Sequence, residues 1–239
     1  MKTNSVKPQQ ALSKSLWLAG GTIFLAAVLL AGLILQTPSA APYATFLRQL
    51  LATNSVQLMW YITRSSGMTA YLLLWLSTAW GLAVSNKILG AVLHRSFTYD
   101  FHEFLSLAAI GFTIVHVGVL LFDRYLPYNL AQIFIPFLSQ YRPVWVGIGV
   151  IGFYLVLLVT ITFYIRNRIG IKAFRWIHGL SLVSYLAVTA HAFFAGTDTP
   201  LVSVIGLYAF TFIVVVFLLA YWPMAILVRK FSKKSYIKI

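Results

Sequence analysis

The sequence predicts an all-α fold: a polytopic membrane bundle of six helices with both termini in the cytoplasm. Three observations lead there. Hydrophobic residues make up 60% of the 239 and charged residues only 9%, where a soluble domain carries about a quarter charged residues. Six apolar runs have about the 20 residues that a helix needs to cross a bilayer. The basic residues gather in alternate loops. Helix is preferred to strand because a backbone in lipid must satisfy its polar groups within the segment. The short alternating stretches of a β-barrel do not occur.

In chain order, residues 1–15 read as a cytoplasmic tail and Leu16–Leu35 as the first span. Its basic start and the small residues at Thr37-Pro-Ser-Ala-Ala also resemble a signal peptide. The apolar run is longer than a typical signal core, so a retained helix is expected; cleavage would leave five spans. Gln36 to Ser66 is a long outer loop holding an amphipathic stretch, Tyr43–Leu51. The second and third spans are Gly67–Val84 and Phe101–Phe122. The outer loop from Asp123 to Pro143 has Pro127, Pro136 and several aromatics, and is expected to cap the bundle. The fourth and fifth spans are Val144–Ile165 and Phe174–Ala195. The sixth, Leu201–Val228, is long enough to tilt, or to run on as an interfacial helix around Trp222 and Pro223. Residues 16–228 therefore form one transmembrane domain, and 229–239 a basic cytoplasmic tail.

The net charge of +14 reads as a topology signal. Lys2, Lys7, Lys14, Lys87, Arg95, Arg166, Arg168, Lys172, Arg175, Arg229, Lys230, Lys233, Lys234 and Lys238 fall on one side, and Arg48, Arg64, Arg124 and Arg142 on the other. The positive-inside rule makes the first side cytoplasmic. The partner this charge implies is anionic membrane lipid; no nucleic acid is expected. A bacterial inner (plasma) membrane is the expected location. The chain has no cysteine, which excludes disulfides, thiolate metal sites, iron–sulfur clusters and covalent CxxCH haem.

Four of the five histidines stand in two spans. His102 and His116 bracket FHEFLSLAAIGFTIVH in the third, and His178 and His191 lie in the fifth. Odd-numbered spans run the same way, so His102 and His178 share an inner level, and His116 and His191 an outer one. At 1.5 Å per residue the levels are roughly 20 Å apart. Ionisable groups within a membrane are rare and costly. One alone reads as a hydrogen bond to a neighbouring helix, whereas two level pairs point to metal ligation. No acidic residue lies mid-span to complete a zinc or di-iron site: Glu103 is at the inner end, and Asp123 and Asp198 are in outer loops. A haem iron needs only two axial imidazoles. Two b-type haems, each with two histidine ligands, are the economical assignment. Helix phase raises one question. Fourteen residues return to within about 40° of one face, but thirteen miss by about 140°. A straight fifth span would point His178 and His191 apart, unless it is bent or locally overwound or the outer site is approached from another side.

The two stretches FHEFLSLAAIGFTIVH and FRWIHGLSLVSYLAVTAH resemble the third and fifth helices of the ferric reductase-like transmembrane domain family. That family includes metalloreductases, NADPH oxidases and the haem subunit of bacterial methionine sulfoxide reductase. The resemblance runs from about Arg64 to Gly196 and takes in TRSSGMTAYLLLWL. It implies a haem held by His102 and His178 on the inner side and another held by His116 and His191 on the outer. Two departures stand out. The sequence reaches Ile239 without a glycine-rich phosphate loop, so the expected electron donor is a separate flavoprotein or a quinol. Where the oxidases carry a further histidine one turn beyond the outer ligand, Leu120 stands here. The implied role is the membrane component of an oxidoreductase. It would pass electrons from a cytoplasmic-side donor to an extracytoplasmic acceptor, whether a metal ion, a reductase or oxygen.

Arg64 resembles the family's arginine at the outer haem propionates, and equally fits an interfacial snorkelling charge. Arg95 and Arg175 could serve the inner propionates or simply the positive-inside rule. His94 adjoins Arg95 and reads as a surface histidine. Tyr185 and Phe112 lie between the levels, where they bridge the haems or simply pack. Trp60, Trp80 and Trp145 read as interface anchors. The competing class is a non-redox transporter or assembly protein that uses the histidines for proton or metal passage.

Overall fold

A computed structural model of the protein describes residues 55–91, 93–123 and 128–236. The expectations for the 1–15 tail, the Leu16–Leu35 span, the Tyr43–Leu51 stretch, Arg48, Arg124 and Lys238 lie outside the described residues. Backbone contacts divide the chain into units 1–58 and 59–239, and the described residues belong almost entirely to the second. Among them the secondary structure is helical, with no strand.

Helix α1 runs Ser55–Ser85 and begins well before the predicted Gly67. The polar run Thr63-Arg64-Ser65-Ser66 made that segment read as a loop. Its two serine hydroxyls are instead satisfied within the helix, while the buried Thr63 hydroxyl has no partner among the described residues. Ser65 Oγ donates to the Tyr61 carbonyl at 2.8 Å and Ser66 Oγ to that of Ile62 at 2.5 Å. Arg64 pairs with Asp198 and lies over the Trp60 ring at 3.8 Å. A 3-10 turn at Leu89–Ala91 leads to α2, Arg95–Leu120, whose N-cap is His94. The His94 ring accepts from Ser96 N at 3.4 Å, so this surface histidine ends a helix.

The loop that follows holds a short helix α3, Leu130–Phe134, closed by an Asn129–Gln132 capping box. It folds back over one end of the bundle, where Tyr141 Oη donates to the Ala195 carbonyl at 3.0 Å. Helix α4, Pro143–Tyr164, starts with proline at its first turn, where a missing N–H costs nothing. A single turn α5, Arg166–Ile169, and Gly170 at φ 84° reverse the chain into α6, Ile171–Ala195. Helix α7, Val202–Tyr236, continues through Pro223. The helix runs on as far as Tyr236, through the first basic residues of the expected cytoplasmic tail. Among the described residues five helices are long and apolar enough to span a membrane: Leu58–Ser85, Arg95–Leu120, Pro143–Tyr164, Ile171–Ala195 and Val202–Tyr221.

Among the described helices α4 and α6 pack together most extensively, and small residues permit it. A Cβ on Gly152 would fall 2.9 Å from Val188 Cγ2, and Ser184 Oγ donates to the Gly152 carbonyl at 2.9 Å. Between the histidine levels lies a buried cluster of Tyr71, Tyr185, Tyr208 and Val215. Tyr71 Oη meets Thr211 Oγ1 at 2.5 Å, and Trp75 Nε1 donates to the Thr211 carbonyl at 3.1 Å. These bonds tie α1 to α7.

Candidate functional site

Each histidine pair joins α2 to α6. His102 and His178 stand two turns into their helices, at the end that carries Arg95, Arg166, Arg168 and Lys172. Their ring centres are 6.1 Å apart with planes at 77°. His116 and His191, toward the other end, are 6.5 Å apart at 74°. An imidazole nitrogen lies about 1.1 Å from its ring centre and binds a metal at about 2.0–2.1 Å. Two ligands on opposite sides of one metal therefore separate their ring centres by about 6.3 Å, and both pairs match that span.

The free ring nitrogens are disposed accordingly. His116 Nδ1 lies 2.7 Å from the Thr63 carbonyl, and His191 Nδ1 lies 3.0 Å from that of Trp145. A carbonyl only accepts, so both Nδ1 atoms carry the proton and both Nε2 atoms keep a free lone pair. Metal-binding histidines almost always show this arrangement. His102 Nδ1 lies 3.2 Å from Ser77 Oγ. The fourth ring, His178, sits 5.3 Å from Phe174, and its buried Nδ1 has no partner among the described residues.

Glycines make room for three of the rings. A Cβ on Gly67 would fall 2.8 Å from His116 Nδ1, on Gly81 3.1 Å from His102 Cε1, and on Gly149 2.6 Å from His191 Cγ. In each case the Nδ1 partner stands four residues earlier in the same helix: Thr63, Ser77 and Trp145. The carbonyl of residue i−4 lies just below residue i in a helix. A glycine at i therefore uncovers that spot to a second, lateral donor. Thirteen residues beyond Gly149, as His178 stands thirteen before His191, comes Thr162. Its hydroxyl takes the Leu158 carbonyl at 2.8 Å.

The phase question has an answer in these contacts. Helix α6 is unbroken α-helix from Ile171 to Ala195, and still each of its histidines meets its α2 partner. His191 lies against Gly149 and Trp145 of α4, so the outer pair is reached from the α4 side.

A cavity of about 340 Å³ opens at the His102–His178 level, walled by Ser77, Ser106, Ser181 and Arg175 among others. Of the sequence-predicted arginines, Arg175 is therefore at the site. Arg95 instead lies 5.8 Å over the Tyr99 ring, and Arg64 is engaged by Asp198 one residue from the carbonyl that holds His116. Of the two aromatics read as lying between the levels, Tyr185 is fully buried in the tyrosine cluster and Phe112 is 42% exposed. Trp145, read as an anchor, carries the carbonyl that orients His191.

Among the described residues no three histidines, cysteines or carboxylates gather as a metal cluster. Two opposed imidazoles suit a metal that brings its own equatorial ligands, so the residues present fit haem. Sequence reasoning missed Ser77, Gly81 and Gly149. One signal was available: Gly67 and Gly81 are fourteen apart, the spacing of His102 and His116. Comparison with family models, curated proteins and solved structures finds no match to this chain.

Proposed function

We propose that this chain is a transmembrane di-haem b cytochrome, the electron-carrying membrane component of a ferric reductase-like system. The observation that carries the reading is the pair of histidine pairs, 6.1 and 6.5 Å between ring centres, with Nε2 left free at His116 and His191 by carbonyl acceptors. His102 and His178 would hold one haem, and His116 and His191 the other. Each haem, when bound, supplies a one-electron couple. The residues of the chain do the rest. The four imidazoles would hold the two groups, two at each level, and an iron held by two histidines would favour outer-sphere transfer to a metal ion or partner reductase over oxygen activation. At His102, His116 and His191 the Nδ1 acceptors fix ring orientation and ligand strength. Arg175 stands at the cavity on the basic side, where a carboxylate-bearing cofactor would meet a cation. A flavoprotein or quinol on that side is the proposed donor.

A reduced-minus-oxidised visible spectrum of the purified protein tests the reading. The sharp bands of low-spin b-type haem are expected, at two haems per chain. His102→Ala or His178→Ala should remove one and spare the other, as should His116→Ala or His191→Ala. A folded, colourless protein would sink the proposal and favour the transporter class.

A further inference from the structure

Three polar contacts around His102 close on themselves. Ser77 Oγ lies 3.2 Å from His102 Nδ1 and 2.8 Å from Ser106 Oγ. Ser106 Oγ in turn donates to the His102 carbonyl at 2.9 Å. Three hydrogen bonds need three protons, and two hydroxyls supply two. The Ser106 proton is committed to the carbonyl, which can only accept. The Ser77 proton can serve Ser106 or the imidazole, but not both. Were it given to the imidazole, two hydroxyl oxygens would face each other at 2.8 Å with no proton between them. Every contact is bonded only when the third proton is on the ring, running from Nδ1–H to Ser77, from Ser77 to Ser106, and from Ser106 to the carbonyl.

We propose that Ser77 is a positioning residue for the His102 ligand, holding it as the Nδ1–H tautomer with Nε2 free, and that it tunes the electron-donating strength of that one imidazole. The setting supports this. At the three glycine-cradled rings the acceptor always stands four residues before the glycine. Only at Gly81 is that acceptor a side chain, and hence replaceable without touching the backbone. An accepted Nδ1 proton makes an imidazole a stronger donor, which stabilises the oxidised metal. Loss of the acceptor should therefore raise the potential of the His102–His178 centre alone.

The tautomer half of this inference stands without haem; the tuning half rests on the function proposed above. Nitrogen NMR of the haem-free full chain with labelled histidine reads the first, with His102 assigned by its loss in His102→Asn. The expected result is a protonated Nδ1, kept in Ser77→Thr, lost in Ser77→Ala, and reduced in Ser106→Ala, where the Ser77 proton is no longer taken by Ser106 and can go to the ring. A protonated Nε2 at His102 in the unaltered chain would overturn the proposal. Redox titration of the holoprotein reads the second. Ser77→Ala should raise one midpoint potential and leave the other unmoved, with both haems bound. Ser77→Thr should restore it, and Ser77→Cys, a poorer acceptor, should shift the same centre in the same direction. Unmoved potentials in both Ser77→Ala and Ser77→Cys, or a Ser77→Thr variant that behaves like Ser77→Ala, would overturn the tuning role. A chain that binds no haem would sink the cytochrome reading while leaving the tautomer result to stand or fall by itself.

Discussion

At the scale of the residue, the glycines facing the histidines make graded predictions. A methyl group at 149 would lie 2.6 Å from two atoms of the His191 ring and within 3.0 Å of a third, and one at 67 would lie 2.8 Å from His116 Nδ1. A ring held by a carbonyl cannot retreat without losing that bond. Gly149→Ala and Gly67→Ala should therefore leave about one haem per chain by extracted-haem assay. At 81 the closest ring atom is 3.1 Å away, so Gly81→Ala should retain both haems and bind one less tightly. Outside the spans, Tyr128 donates to or accepts from Ser139 at 2.9 Å. Burial chiefly, with nearby Tyr141 and Asp123 adding to it, pushes its phenol above the ordinary value. An acid whose folded pKa is raised contributes stability that is present below its unfolded pKa of about 10 and lost as pH rises through the folded value. The loop contact should thus be insensitive to pH through the neutral range and weaken above pH about 10. The difference in phenolate absorbance between the protein and Tyr128→Phe checks this. The histidines were legible in the sequence because an imidazole in an apolar run is conspicuous. The glycines were not, since a glycine in a transmembrane helix is common and only its neighbour gives it a meaning.

At the scale of the element, helix ends were the least legible feature. The segment Thr63 to Ser66 is polar enough to read as a loop, yet the helix accommodates it because its two serine hydroxyls bond back to carbonyls one turn earlier. Its arginine finds Asp198, 134 residues away, a partner that no local pattern announces. The junction of α1 and α7 rests on a comparable distant pairing. Thr211, fully buried, takes the Tyr71 phenol with its hydroxyl and the Trp75 indole with its carbonyl. Thr211→Val keeps the shape and strands the phenol. A loss of about 1 kcal/mol is expected, typical of hydrogen bonds between helices in a membrane environment. The unfolding midpoint in detergent measures it, and Tyr71→Phe in the same background should recover part of the loss. The loop before α4 carries two left-handed non-glycine residues, Phe137 at φ 68° and Arg142 at φ 42°. Such conformations persist only where the surroundings hold them. Here Phe137 is packed onto Gly147, so closely that no Cβ would fit.

At the scale of the whole molecule, the sidedness of the bundle can be tested directly because the chain contains no cysteine. Gln140 and Lys172 are both exposed and flank the two ends of α4. The basic-residue distribution predicts that Gln140→Cys reacts with a membrane-impermeant maleimide in intact cells or right-side-out vesicles. Lys172→Cys should react only after permeabilisation. The opposite pattern would reverse the proposed direction of electron flow without altering the ligand pairs.

The sequence by itself determined the solvent of this chain, its helical class, and the two spans and four histidines on which the proposal rests. Those follow from composition and from one-dimensional spacing along a helix with a fixed rise. Tertiary structure decided what spacing leaves free. An ideal helix turns His178 and His191 apart, and an unbroken α6 nevertheless brings each to its partner, the outer one along the face of α4. It also chose the acceptors: two backbone carbonyls and one serine hydroxyl, uncovered where a glycine leaves space. These are contacts between helices distant in sequence, and their geometry depends on how the bundle packs.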